Sequence, residues 1–304
     1  MKILIVGTGA LATLFGARFR EAGREVTMLG TWKVGLAALR AHGARLIDAA
    51  GREHSYAVHV ADDPAACRGT THALVLVKAW QTARSAQQLA DCLAGNGVAV
   101  SLQNGLGNRE ALTEKLGVDR VALGVTTSGA TLLGPGLARS GGEGEVWIEN
   151  HPVMPDLVAA LRQAGFETTI VADAESLVWG KLTANAAINP LSAILRVTNG
   201  ELIERPSARE LMRDLARETS NVAAACGVSL PFADPVAHAE RVALQTAANR
   251  SSMLQDVRRG APTEIDAICG AIAQLGEAHG VPTPANALLW RLVKAAVERN
   301  RNGS

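Results

Sequence analysis

The chain has 304 residues, 48% of them apolar, enough for two domains with full cores and no reliance on a metal or crosslink. Its formal charge is +1 and aromatics make up 3%, which argues against a basic face for nucleic acid or an anionic membrane and against a base-stacking surface. Cys67, Cys92, Cys226 and Cys269 form no Cys-x-x-Cys and no Cys/His cluster, so no metal site is expected and a reducing, cytoplasmic setting is. Residues 3–6 are an apolar run too short for a signal peptide and read as a strand, and no stretch has the length of a membrane span. Residues 11–22 read as a helix closed by Gly23, and 25–29 as a second strand. Strands follow at 73–77 and 98–102, with a helix at 82–94 between them, and then at 121–125, 146–148 and 168–171. Short apolar strands separated by helices predict a parallel sheet covered on both faces. From Asp173, read as an N-cap, the pattern is all helical. Helices are expected around Lys181 and at 207–226, 235–249, 264–279 and 285–300, with a frayed tail over 300–304. The expected domains are 1–172 and 173–304.

The first strand runs into Gly7-Thr8-Gly9-Ala10-Leu11-Ala12 and a helix follows, which is the dinucleotide fingerprint in its G-x-G-x-x-A form. Gly7 permits the tight turn, Gly9 lets a pyrophosphate approach the backbone, and Ala12 lets helix and strand pack closely. The helix N-terminus supplies donors and a favourable dipole. The first domain therefore reads as a Rossmann domain, with residues 7–12 holding the cofactor. The second strand ends in Leu29-Gly30-Thr31-Trp32-Lys33 without the acid that NAD sites place on the ribose. Absence of that acid removes a repulsion against a 2′-phosphate, which Thr31 and Lys33 are placed to bind. This favours NADP(H), while NAD(H) stays compatible.

Lys181, Asn185 and Asn189 lie four residues apart, which puts them in one row on a helix. Leu182, Ala184, Ala186, Ala187 and Ile188 fill the other faces, and a buried helix does not normally carry a lysine. The arrangement suits a site that holds a small polar molecule and gives it a proton. Plainer readings stay open from spacing alone. Lys181 can snorkel, and Asn185 and Asn189 can cap or turn the chain before Pro190. Asn104-Gly105 can be a turn, Lys78 a loop charge, and Glu264 a helix N-terminal acid.

Taken together, several stretches resemble the ketopantoate reductases (2-dehydropantoate 2-reductases) over nearly the whole length. They are Gly7-x-Gly9, Val77-Lys78-Ala-Trp-Gln81, Gln103-Asn104-Gly105, the Lys181 helix, Asn199-Gly-Glu-Leu202, Ser251-Ser-Met-Leu-Gln-Asp256 and Thr263-Glu-Ile-Asp266. The resemblance implies an α/β Rossmann domain followed by an all-α domain like the C-terminal domain of 6-phosphogluconate dehydrogenase. It implies Lys181 as proton donor, with Glu264 near that lysine and the nicotinamide ribose. Asn185, Asn189, Asn199 and Ser252 match substrate-binding positions. Asn104 matches one between cofactor and substrate, and Lys78 and Ala130 match cofactor contacts. Thr31 is a departure, because many members carry there an arginine that grips the 2′-phosphate. The implied reaction is reduction of 2-dehydropantoate to pantoate with NADPH, a step toward pantothenate and coenzyme A. Two alternatives stay open. One is an NAD(P)H-dependent enzyme for another branched or aromatic 2-keto acid, and the other is a dinucleotide-binding regulatory protein without turnover. The expected partner is a small 2-keto acid, with no nucleic acid and no membrane, and an apolar helical domain is compatible with a homodimer.

Overall fold

The computed structural model describes residues 2–48 and 50–301. The chain forms two compact units, one of residues up to Gln103 together with Asn108–Ala174, the other of Asn104–Gly107 together with residues from Glu175 onward.

In the first unit β1 (Ile3–Val6), α1 (Ala10–Glu21), β2 (Val26–Leu29), α2 (Lys33–His42), β3 (Ala44–Ile47), β4 (Glu53–Tyr56), β5 (His59–Ala61), β6 (Thr70–Val75), α3 (Thr82–Cys92), β7 (Leu93–Ser101) and α4 (Asn108–Leu116) follow one another. Then come β8 (Val121–Thr126), β9 (Ala130–Gly134), β10 (Leu137–Ser140), β11 (Glu145–Glu149), α5 (Met154–Gln163) and β12 (Glu167–Val171). Among the described residues the main sheet has eight strands in the order β12-β11-β8-β7-β6-β1-β2-β5. Alternation along β1 sends Ile3 and Ile5 into a core with Leu14, Phe15 and Leu157. Leu4 and Val6 enter the opposite core with Ala86, Leu89 and Leu112. A strand buried on both faces needs a continuous apolar run, which is why β1 was legible.

Several features differ from the expectation, which did not include α2, α4, α5 or the edge strand β5. The sheet is not wholly parallel, because β11 runs antiparallel to β8, with Val146 opposite Thr126. The chain between them holds the antiparallel pair β9–β10 and no crossover helix, and without such a crossover it returns antiparallel. The β9–β10 pair also belongs to a second sheet, β4-β3-β10-β9, absent from the sequence reading.

The second unit holds α6 (Glu175–Leu195), α7 (Asn199–Glu204), α8 (Pro206–Ala225), α9 (Pro235–Gln245), α10 (Ser252–Arg258), α11 (Ala271–His279) and α12 (Pro284–Arg301). Since α6 starts at Glu175, the residue before it is Ala174 and not the expected Asp173. The helix runs through Pro190 to Leu195, so the chain does not turn away at Asn189. Proline removes one helical hydrogen bond there, and burial of Ile188, Leu191 and Ala193 holds the helix together. The helix α9 is shorter than expected, and α7 and α10 add to the predicted set. The stretch expected as one helix over 264–279 divides into a π-helical turn, Asp266–Gly270, and α11. Positions 300 and 301, expected to fray, continue α12, and 302–304 lie outside the described residues. Among the described residues no helix is long and apolar enough to cross a membrane.

Candidate active site

In the first unit the loop from β1 to α1 is built around Gly7. Its φ of +135° suits only glycine, and a Cβ there would lie 3.0 Å from the Leu76 carbonyl oxygen. Its N–H donates to the Leu29 carbonyl at 2.8 Å, tying the loop to the end of β2. Gly9 precedes α1, and open space surrounds the place where its Cβ would be. No side chain caps α1 and its first turn carries no acid, so its amide donors are left for an anion. Thr8 and Ala12 are buried, Ala10 and Leu11 half-buried. The Thr13 hydroxyl is buried without a hydrogen-bond partner among the described residues. The end of β2 abuts this loop, since a Cβ on Gly30 would meet the Thr8 methyl at 2.8 Å. From there Thr31 and Lys33 are exposed. Lys78 follows β6, half-buried, and opens the 3-10 turn Ala79–Gln81. Ala130 starts β9 and packs against the core that contains Leu14 and Phe15. These surroundings fit a dinucleotide whose pyrophosphate sits on the α1 N-terminus.

In the second unit α6 presents the polar row. Lys181 and Asn185 are half-buried and Asn189 is buried, while residues 182–184, 186–188 and 190–193 are all buried. Burial disfavours the ammonium of Lys181 and pulls its pKa down to about 8, against the Glu264 carboxylate, which pulls it up. Glu264 is buried just ahead of the π-helical turn and accepts a hydrogen bond from the Asn104 side-chain amide at 3.3 Å. Asn104 comes from the loop after β7, which clusters with this unit. The expected Lys181, Glu264 and Asn104 are therefore linked, the first two by charge and the last two by a hydrogen bond.

The remaining substrate candidates make other contacts. Asn199 opens α7, and its amide donates to the Thr246 hydroxyl at 2.9 Å. Its buried Oδ1 has no hydrogen-bond partner among the described residues. Ser252 is exposed at the first turn of α10, whereas the preceding Ser251 is buried. Ser251 caps that helix through Leu254 N–H and takes a hydrogen bond from Ser192 at 2.7 Å. The sequence reading missed the part of Ser192 and Thr246, since neither stands in a motif. Among the described residues no group of His, Cys, Asp and Glu is arranged to hold a metal ion.

Comparison with known proteins places these features in a family. The model of the family described as Ketopantoate reductase PanE/ApbA matches residues 3–152, and that of its C-terminal part matches residues 173–298. The 2-dehydropantoate 2-reductase of Halobacterium salinarum is 34% identical over 301 residues, covering 97% of this chain and 99% of its own. A crystal structure of a PanE/ApbA family ketopantoate reductase from Ralstonia eutropha JMP134 superposes with a TM-score of 0.92 at 33% identity, over 99% of this chain and all of the other. The ternary structure of D-mandelate dehydrogenase with NADH and anilino(oxo)acetate superposes with a TM-score of 0.93 at 25% identity, over 99% of both chains. With both halves matched and relatives aligned end to end, the chain belongs to the ketopantoate reductase family.

Proposed function

We propose that this chain reduces 2-dehydropantoate to pantoate with NADPH, as an oxidoreductase acting on a CH–OH group. The observation that carries the reading is the half-buried Lys181, its pKa lowered to about 8, in one row with two amides and beside the Glu264–Asn104 pair. Reducing a 2-keto acid needs a hydride at the carbonyl carbon and a proton at its oxygen, and the bound nicotinamide supplies the hydride. Lys181 neutralises the developing alkoxide and gives it the proton. Glu264 holds the ammonium in place. Asn104, Asn185, Asn189, Asn199 and Ser252 bind the carboxylate and hydroxyls with neutral donors that add no charge. Residues 7–12 take the pyrophosphate, Thr31 and Lys33 the 2′-phosphate, and Lys78 and Ala130 flank the cofactor. The cysteines are free, and burial raises their pKa, which disfavours the reactive thiolate and gives them no part in the reaction.

Initial rates on purified protein, with ketopantoate and a panel of other 2-keto acids, each with NADPH and NADH, test this reading. Fast ketopantoate reduction with NADPH is the expected result, and silence across the panel would leave a dinucleotide-binding protein without turnover. The pH profile adds a second check. A proton donor must be protonated, so kcat/KM for reduction is expected to be flat at lower pH and to fall as pH rises through about 8. The reverse oxidation needs neutral lysine and rises through the same pH. A reduction profile that stays level through that pH would remove Lys181 as the titrating acid.

A second reading is supported by the likeness to D-mandelate dehydrogenase with NADH and by Thr31. It is an NADH-using enzyme for another branched or aromatic 2-keto acid. Preference for such an acid in the panel would select it. Thr31→Arg is expected to raise selectivity for NADPH over NADH by adding a planar cation where the 2′-phosphate is assigned. A shift toward NADH in steady-state kinetics would mean that the phosphate binds elsewhere.

A further inference from the structure

The loop that carries Asn104 is short and holds two glycines at positive φ, Gly105 at +81° and Gly107 at +85°. Left to itself such a segment samples many conformations. Its far side rests on the π-helical turn. Leu106 N–H donates to the Ala267 carbonyl at 2.9 Å, and a Cβ on Gly105 would lie 2.5 Å from that same oxygen. Its two ends meet at one hydroxyl. Thr82, at the start of α3, accepts a hydrogen bond from the Gln103 side-chain amide at 2.7 Å. The same hydroxyl lies 2.8 Å from Asn108 Oδ1 and 2.8 Å from the Ala79 carbonyl oxygen, and shares its single proton between these two acceptors. Gln103 is further fixed by donation to the Val77 carbonyl at 3.0 Å and by the Ser101 hydroxyl at 3.0 Å. Thr82 and Asn108 are both buried, so water does not compete for these bonds.

We propose that Thr82 is a positioning residue for Asn104: its hydroxyl joins Gln103 to Asn108, closes the two ends of the loop, and so keeps the Asn104 amide on Glu264. The inference rests on the proposed role of Asn104 in the reduction. One atom performs the closure because a hydroxyl both accepts and donates, a property that neither valine nor alanine shares. Closing the ends removes conformations that the loop would otherwise sample, and the contact with Ala267 selects among the rest.

The test compares Thr82→Val, which keeps the shape and loses the hydroxyl, with Thr82→Ser, which keeps the hydroxyl. Thr82→Val is expected to lower kcat for the keto acid by roughly 10- to 100-fold, the scale of a small misplacement of a substrate-orienting group. NADPH affinity by fluorescence titration is expected to stay at the wild-type value. Hydrogen exchange, read on the peptide that spans 104–107, is expected to speed up at Leu106. Thr82→Ser is expected to restore both turnover and protection. Wild-type turnover and protection in Thr82→Val would overturn the proposal. So would a Thr82→Ser protein as impaired as Thr82→Val, which would assign the role to the methyl group. Gln103→Leu breaks the same link from the other side and serves if Thr82→Val does not fold. If the wild-type enzyme reduces no keto acid, the proposed function fails, and hydrogen exchange still decides whether the hydroxyl closes the loop.

Discussion

Replacing Lys181 with alanine is expected to lower kcat for keto-acid reduction by about 10²- to 10⁴-fold, the usual contribution of a general acid. The expectation follows from where the side chain stands. It is half-buried on α6, in line with Asn185, and near the carboxylate of Glu264. Burial has already lowered its pKa to about 8, so the proton leaves more readily than from a surface lysine. Alanine is a good helix former, and α6 is packed by buried neighbours on its other faces, so the helix persists. NADPH titration is therefore expected to give wild-type affinity while turnover collapses. Lys181→Arg supplies a control. It keeps the positive charge but holds its proton far too tightly to donate it, so turnover is expected to stay low. A Lys181→Ala enzyme with unchanged kcat would assign the proton to another group.

The largest effect on stability is expected at Phe15. Its ring is fully buried on α1 and stacks on Phe166 with centroids 4.1 Å apart and planes 15° from parallel. Removing such a ring leaves a cavity that close packing cannot refill, so Phe15→Ala is expected to cost about 3–5 kcal/mol. The loss concerns function as well, because the N-terminus of the same helix carries the proposed pyrophosphate site. Saturating dinucleotide is expected to return part of the loss, about 2.7 kcal/mol at 100 times its Kd. Thermal unfolding with and without NADPH measures both numbers. An unshifted melting transition would show that the Phe15–Phe166 stack does not hold α1 in place.

What could be read from the residues follows from how local each feature is. The fingerprint was legible because Gly7 answers a backbone need that no other residue meets. The central strands were legible because residues such as Ile3 and Leu4 are buried on opposite faces of one sheet. The polar row on α6 stood out because an apolar helix tolerates few polar residues at regular spacing. The second sheet was not legible. Its strand β4 is Glu53–Tyr56, with an exposed or half-buried position at every step, and its pairing with β3 leaves no apolar run to find. The π-helical turn was missed because one residue more per turn has no signature in composition. The path through Pro190 was left open because local propensity argues for a break, and only burial shows why the helix continues. The Asn104 motif was visible, yet its hydrogen bond to Glu264 joins residues 160 positions apart in the chain. No pattern of neighbours encodes such a pairing.

The order of the main sheet leaves β5 and β12 at its two ends. An outer strand offers unpaired N–H and carbonyl groups to any other extended chain, which is how sheets of separate molecules join and precipitate. Here β5 is only three residues long, and Asp62 follows it at the surface. The other end is longer, but β12 opens with an exposed Glu167 and places the polar Thr168 and Thr169 next. A chain adding to β5 finds few groups to pair with, and one adding to β12 must bring its backbone alongside a carboxylate. The same strands that close the sheet thereby guard the molecule against self-association through its margins. Ile170 on β12 is an exposed large apolar side chain on that margin, and there the guard is weaker.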